Sequence, residues 1–286
     1  MEQAALFETP FGYIVENVKP EREKNNRATR AKRWWLLGET IPAFRRAVGS
    51  KHRYLATARV AKHRLFVWLD TVVLPDSKVI AIAFDDDFSF GVLSSRVHVV
   101  WSFATGSLHG GERPTYNPTL SFETFGFPSA TEAQREAIGA AAGELDRLRN
   151  NWLNPPEWTR TETLEFPGST TGPWARYVDP AVGQPFQADP NAPHNVDRAT
   201  GQPGKADLRI GTVRYPRLVP RDAACAEQLQ KRTLTNLYNQ RPTWLDLAHR
   251  KLDAAVFAAY GWSPTLSDDE LLAALLRLNL ERAGST

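Results

Sequence analysis

Apolar positions along this chain change their spacing several times, and each change predicts a new kind of element. Between residues 50 and 127, "HRYLATARVAKHRLFVWLD" and "KVIAIAFDDDFSFGVLSSRVHVVWSF" are rich in Val, Ile, Phe, Trp and Thr, with apolar and polar residues partly alternating. That pattern predicts strands, and with them a small β-rich domain. Asp85-Asp86-Asp87 interrupts the run and Gly91 sits inside its continuation, which predicts a polar turn at the first and a bend at the second. After residue 130 the period lengthens. Ala137, Ile138, Ala141, Leu145, Leu148 and Trp152 form an i, i+3/i+4 stripe, and Thr131 with Gln134 has the spacing of a capping box. This helix must stop near Asn154, because Pro155-Pro156 removes two donors and forces Asn154 toward extended backbone.

Residues 155–220 hold eleven of the twenty prolines and read as an extended, irregular insertion, with "VDPAVGQPFQADPNAPHNVDRATGQPG" as a mobile loop. Helical spacing then returns. One helix is predicted from about Asp222 through "LQKRTLTNLYNQ". A second is capped by Thr243, with Leu247, Leu252, Val256 and Ala259 along it and Gly261 at its end. Ser267 and Glu270 open a third with another capping box. Ahead of the strands, "RAKRWWLLG" and "IPAFRRAVG" predict helical pieces, with Pro42 in a first turn and Gly49 at an end. The fold class is therefore α+β. The organisation is a basic helical connector over 1–49, a β-rich domain over 50–128, and a helical spacer over 129–286 that carries the insertion 155–220.

Charge sharpens this picture. From Lys24 to Arg64 there are twelve Lys and Arg residues against Glu39 alone, a net +11, which leaves −8 for the remainder of a chain whose total is +3. Solvated helix faces interleave both signs; a block of one sign with Trp34, Trp35, His52 and His63 among its charges is the footprint of a polyanion binder, DNA or RNA. Within it, Arg27, Arg30 and Lys32 lie in the helical connector. Arg59, Lys62, His63 and Arg64 sit where loop passes into strand and can project at phosphates or base edges. Arg96 and His98, two apart in a predicted strand, would share one face. The single Cys225 excludes an intramolecular disulfide and a multi-cysteine zinc site. With no signal peptide and no apolar run of about 18 residues, the expected location is cytoplasmic.

Asn154-Pro155-Pro156 has the composition of the tripeptide with which adenine-specific DNA methyltransferases hold a flipped base. The next position must offer an aromatic face for stacking, and here it is Glu157. The tripeptide also follows a helix, and no glycine-rich strand–turn–helix unit precedes it to hold a methyl donor. It reads as a helix stop. Three consecutive aspartates cannot converge on one ion from a regular strand, so no metal site is expected at Asp85–Asp87, and no catalytic set of side chains is legible.

Several stretches together resemble one family. "NNRATRAKRWWLLGETIPAFRRAV", "RYLATARVAKHRLFVWL" and "VLPDSKVIAIAFDDDFSFGVLSSRVHVVW" resemble the target-recognition region of MmeI-like type II restriction–modification enzymes, adenine-specific DNA methyltransferases that use S-adenosylmethionine. "SFETFGFP" resembles the end of that region, with Gly126 where members have proline. "QKRTLTNLYNQRPTWLDLAHRKLDAAVFAAYGW" resembles the family's C-terminal helices, and the likeness runs from about Phe11 to Ala283 apart from the insertion. The resemblance implies a DNA-recognition module and helical spacer, a fragment or split specificity part, whose nuclease, methyltransferase core and S-adenosylmethionine site lie upstream or on a partner. It also implies base readers in "SLHGGERPTYNP", where Glu112 and Arg113 have suitable chemistry. The expected partners are double-stranded DNA and a methyltransferase catalytic domain or subunit. The alternatives are an autonomous methyltransferase with an unrecognised pocket, and a degenerate structural remnant.

Overall fold

The computed structural model describes residues 1–5, 7–37, 41–110, 113–179 and 210–284. In chain order the elements begin with five short helices, α1 (Glu2–Ala5), α2 (Glu8–Asn17), α3 (Lys19–Arg22), α4 (Ala28–Lys32) and α5 (Pro42–Val48). Strands β1 (Arg53–Ala58), β2 (Val67–Asp70) and β3 (Val79–Ile82) follow, then helices α6 (Asp87–Ser94) and α7 (Arg96–Thr105). Two short strands, β4 (Ser107–His109) and β5 (Arg113–Thr115), precede a π-helical turn over Pro118–Phe122 and the long α8 (Glu132–Leu153). Strands β6 (Thr159–Ser169) and β7 (Ile210–Pro220) come next, with a 3₁₀ turn at Ala175–Tyr177. The chain ends in α9 (Ala223–Gln230), α10 (Leu234–Gln240), α11 (Thr243–Tyr260) and α12 (Asp268–Ala283). Mixed helix and antiparallel sheet make this α+β. None of the described helices is long and apolar enough to cross a membrane.

The chain divides into two compact units, Met1–Gly49 with Glu162–Arg217, and Ser50–Thr161 with Leu218–Thr286. In the first, Trp34 is buried between the Phe11 ring, 5.8 Å away, and the Lys19 ammonium, 5.6 Å from its centroid. The paired strands β6 and β7 are braced by Arg214 on Glu165 (2.9 Å) and Asp179 (2.7 Å). Phe166, Trp174, Tyr177 and Tyr215 pack edge to face beside them. These strands correct the expectation of an irregular insertion. "TRTETLEF" and "TVRYPRLV" alternate with period two, a signal masked by the proline count. Most of the expected mobile loop lies outside the described residues.

In the second unit, β1 is the middle strand of an antiparallel sheet in the order β2-β1-β3, with Leu55 opposite Trp68 on one side and Ile82 on the other. Leu55, Phe66, Ile80 and Ile82 belong to one core with residues of α6, α8, α11 and α12. The expected capping boxes are both formed: Thr131 and Gln134 at the start of α8, Ser267 and Glu270 at the start of α12. Helix α8 ends at Leu153 with Asn154 as its C-cap, as the two prolines dictate. The helix expected from Asp222 to Gln240 is two, because Thr233 caps α10 through Asn236 N and breaks the run at Lys231–Thr233. Leu247, expected along the apolar stripe of α11, is exposed.

The larger correction concerns residues 87–105, expected as strand and found as α6 and α7. Asp86 caps α6 by accepting from Ser89 N (2.8 Å), so the aspartate run is a helix start and not a turn. Phe88 through Ser94 are all buried, and a helix buried on every side has no polar face to set a period of 3.6. Gly91 is no bend either. It lies in mid-helix, where a Cβ would stand 2.6 Å from Ile138 Cγ2, 3.0 Å from Ala142 Cβ and 3.2 Å from Leu252 Cδ1, which lets α6 approach α8 and α11 closely.

Candidate nucleic-acid interface

The basic block divides into cations that the fold consumes and cations that it displays. Lys51 pairs with Asp85 at 2.7 Å. Arg53 pairs with Asp87 at 2.8 Å, and its guanidinium lies 3.8 Å from the Trp68 ring centroid. Two of the three aspartates that interrupt the apolar run thus neutralise two members of the block. A third member, Arg64, expected at the surface, is 4% exposed. Its Nη1 donates to Thr57 Oγ1 (3.0 Å) and to Ala58 O, and the guanidinium sits over the Tyr116 ring at 4.8 Å. In the first unit, Arg27 and Lys32 are exposed and Arg30 is half-buried on the short α4.

Some of the displayed cations of the second unit lie on a ribbon. Antiparallel β4 and β5 place His109 opposite Arg113. On the other side of β5, Val60 bridges Thr115, Ala61 N donates to Pro114 O (3.1 Å) and Tyr116 N donates to Arg59 O (2.7 Å). Segment 59–61 therefore acts as a third strand, and Lys62 follows it directly. Arg59 and Arg113 are exposed, and Arg59 Nε donates to Ser77 O (3.0 Å). Lys62 Nζ and His63 Nε2 both reach Asn239 Oδ1 on α10, at 2.7 and 3.0 Å. Glu112 lies outside the described residues. Sequence reasoning missed Asn239: it stands 176 residues from His63, and nothing local marks it.

A buried polar layer supports the ribbon from behind. Tyr116 OH and His98 Nε2 are 3.0 Å apart, and the His98 ring packs edge-on against Phe125 at 4.4 Å. Burial, and then the positive charge of Arg64, hold His98 neutral down to about pH 3. Burial likewise raises the Tyr116 phenol above its ordinary range. His98 therefore presents nothing to a partner, against the expectation that it and Arg96 share an exposed strand face. Arg96 opens α7 instead. Its guanidinium meets Asp268 at 2.6 Å and donates to Leu266 O at 2.8 Å, while its backbone N–H donates to Asp253 Oδ1 at 2.7 Å. It ties α7 to α11 and α12. Arg64 and His98 are members of the scaffold beneath the ribbon, and Arg96 is a member of the helical core.

The local chemistry around Asn154-Pro155-Pro156 matches a helix stop. Pro155 O already accepts from Trp158 N (2.9 Å), Thr159 N (3.0 Å) and Thr159 Oγ1 (2.9 Å), and Pro156 O accepts from Arg221 Nη2 (3.0 Å). Neither prolyl carbonyl is open to hold an adenine amine. The turn from β3 into α6, Ala83–Asp86, contains no glycine, and its two aspartates are engaged with Lys51 and with the α6 N-terminus. Among the described residues, no group of three or more His, Cys, Asp or Glu could hold a metal ion.

No protein-family model and no curated protein matches the chain. Among solved structures it is similar to the type IIL restriction–modification enzyme MmeI, determined in complex with DNA. The likeness covers 93% of this chain, with a TM-score of 0.54 and 17% sequence identity, and is therefore one of fold. It covers 25% of the MmeI chain, so the present chain spans about a quarter of the length of that enzyme.

Proposed function

We propose that this chain is the DNA target-recognition region, with its helical spacer, of an adenine-specific methyltransferase in a restriction–modification system. The observation that carries the reading is the fold shared over nearly the whole chain with a quarter of a restriction–modification enzyme solved on DNA. The displayed cations add independent support, since a ribbon bearing Arg59, Lys62, His63 and Arg113 suits a polyanion. Arg59, Lys62 and His63 contact phosphates, as do Arg27, Arg30 and Lys32 of the connector. Arg113, with Glu112, reads base edges, because a guanidinium can bond guanine at two positions and a carboxylate can accept from a cytosine amine. Methyl transfer and S-adenosylmethionine binding belong to a catalytic domain or subunit with which the chain works.

Selection from a random duplex pool, with and without that methyltransferase, tests the reading. One short asymmetric sequence should be enriched, and binding should weaken steeply with salt. Changing Arg59 and Lys62 to glutamine should weaken all sequences alike and reduce the slope of log K against log salt by about two. Changing Arg113 to alanine should instead relax preference at one position, at about 1–3 kcal/mol. A pool that yields no sequence under either condition would sink the proposal.

A further inference from the structure

Cations in the second unit are held by carboxylates, by hydroxyl and backbone carbonyl oxygens such as those bonded to Arg59 and Arg64, and by a side-chain amide. Lys51, Arg53 and Arg96 each meet a carboxylate, on Asp85, Asp87 and Asp268, which orders the side chain and cancels its charge. Lys62 and His63 converge instead on a neutral amide, Asn239 Oδ1, at 2.7 and 3.0 Å. A lysine ammonium can only donate, so the amide oxygen must face it, and His63 then donates from Nε2 to the same oxygen. The arrangement fixes two side chains and leaves the positive charge of Lys62 intact. Two N–H groups of the ammonium remain for another acceptor. Ordering a lysine costs rotamer freedom, and here much of that cost falls before any ligand arrives. Arg241, two residues further on, is engaged with Asp246 at 3.0 Å, so the neighbouring carboxylate has its own cation.

We propose that Asn239 is a positioning residue of the recognition surface: it holds Lys62 and His63 toward a backbone phosphate without cancelling the lysine charge, and so brings α10 into the DNA interface. The inference rests on the DNA-recognition reading above and goes beyond it in assigning a role to the helical region.

The test measures duplex binding by the full chain over a series of salt concentrations. Asn239→Ala should weaken binding about fivefold, the equivalent of one hydrogen bond, with the salt slope unchanged. Asn239→Asp keeps an acceptor but cancels the lysine charge, so it should lower the slope by about one. In a Lys62→Ala, His63→Ala background, Asn239→Ala should have no further effect. Asn239→Ala binding as the original chain does, or weakening binding equally in that background, would overturn the positioning role while DNA recognition stood. An original chain with no salt-dependent duplex binding would overturn both.

Discussion

Gly91→Ala is expected to destabilise the second unit by about 2 kcal/mol, and Gly91→Val by 3 kcal/mol or more, in spite of the helix-forming gain that alanine brings. On an open helix, replacing glycine with alanine stabilises by about 1 kcal/mol. At Gly91 the added methyl would meet Ile138 Cγ2 at 2.6 Å and Ala142 Cβ at 3.0 Å. The first is a branch methyl on a fully buried helical isoleucine, which has one favoured χ1 rotamer. The second is fixed to its backbone, so α6 and α8 must separate, and interior packing gives up contact energy over their whole interface. Gly143, on the same α8, is the control, because nothing lies within 4 Å of where its Cβ would stand. Gly143→Ala should raise the urea midpoint where Gly91→Ala lowers it, with similar slopes. Two midpoints moving in the same direction would show that the close approach at Gly91 is not what the helix contact depends on.

Features set by neighbouring residues were legible in the sequence. The capping boxes at Thr131 and Ser267, the stop at Asn154-Pro155-Pro156, and the short helix between Pro42 and Gly49 all follow from bonds spanning three or four residues. Strands β1, β2 and β3 were legible from their short length and their aromatic and β-branched residues, although only β3 alternates in burial. Helices α6 and α7 were not. Phe88, Phe90, Val92 and Leu93 are aromatic or aliphatic, and their complete burial removes the polar face from which a helix is recognised.

The site divides along the same line. That the segment from Lys24 to Arg64 is strongly basic can be counted, but which cations remain displayed is decided by residues far away in sequence. Asp85 and Asp87, 34 positions from Lys51 and Arg53, withdraw two charges; Tyr116 covers a third; Asn239 orders a fourth without cancelling it. No periodicity reports such pairings. Adding the charges of a segment therefore overstates what its surface offers a partner, and the surplus is largest where the block runs into the sheet.

Lowering the pH from 6.5 toward 3 should cost the second unit on the order of 4 kcal/mol through His98 alone. Burial first, and the Arg64 guanidinium second, depress the folded-state value to about 3, while an unfolded histidine titrates near its ordinary 6.5. Across that window the unfolded chain binds a proton that the folded chain refuses, so stability falls as the pH falls, by about 1.4 kcal/mol per pH unit. Two other buried groups titrate nearby. His249, bonded to Tyr238 OH at 2.7 Å, is depressed to about 4 by burial and then by Arg149, and acts in the same sense. Asp253 is raised to about 6 by burial, so the folded state takes up its proton first and gains stability as the pH drops through 6. These two displacements are similar in size and opposite in effect, which leaves His98 to set the net slope until the carboxylates of Glu144, Asp222, Asp246 and Glu270, held below their ordinary values by hydrogen bonds, begin to lose their own contribution at the acid end. His98→Gln should lower stability at neutral pH, since the ring fills space against Phe125 and Phe66. Its stability should nevertheless fall less steeply on acidification, by about one proton's worth between pH 6 and 4. Urea midpoints at four or five pH values distinguish the outcomes, and parallel curves for the two proteins would mean that His98 titrates alike in the folded and unfolded chains. The same measurement bears on the ribbon, because the proton that enters at His98 arrives beside Tyr116, whose backbone N–H is bonded to Arg59 O. Acid loosening of this layer should therefore release Arg59 and Arg113 before the α8–α11 core gives way.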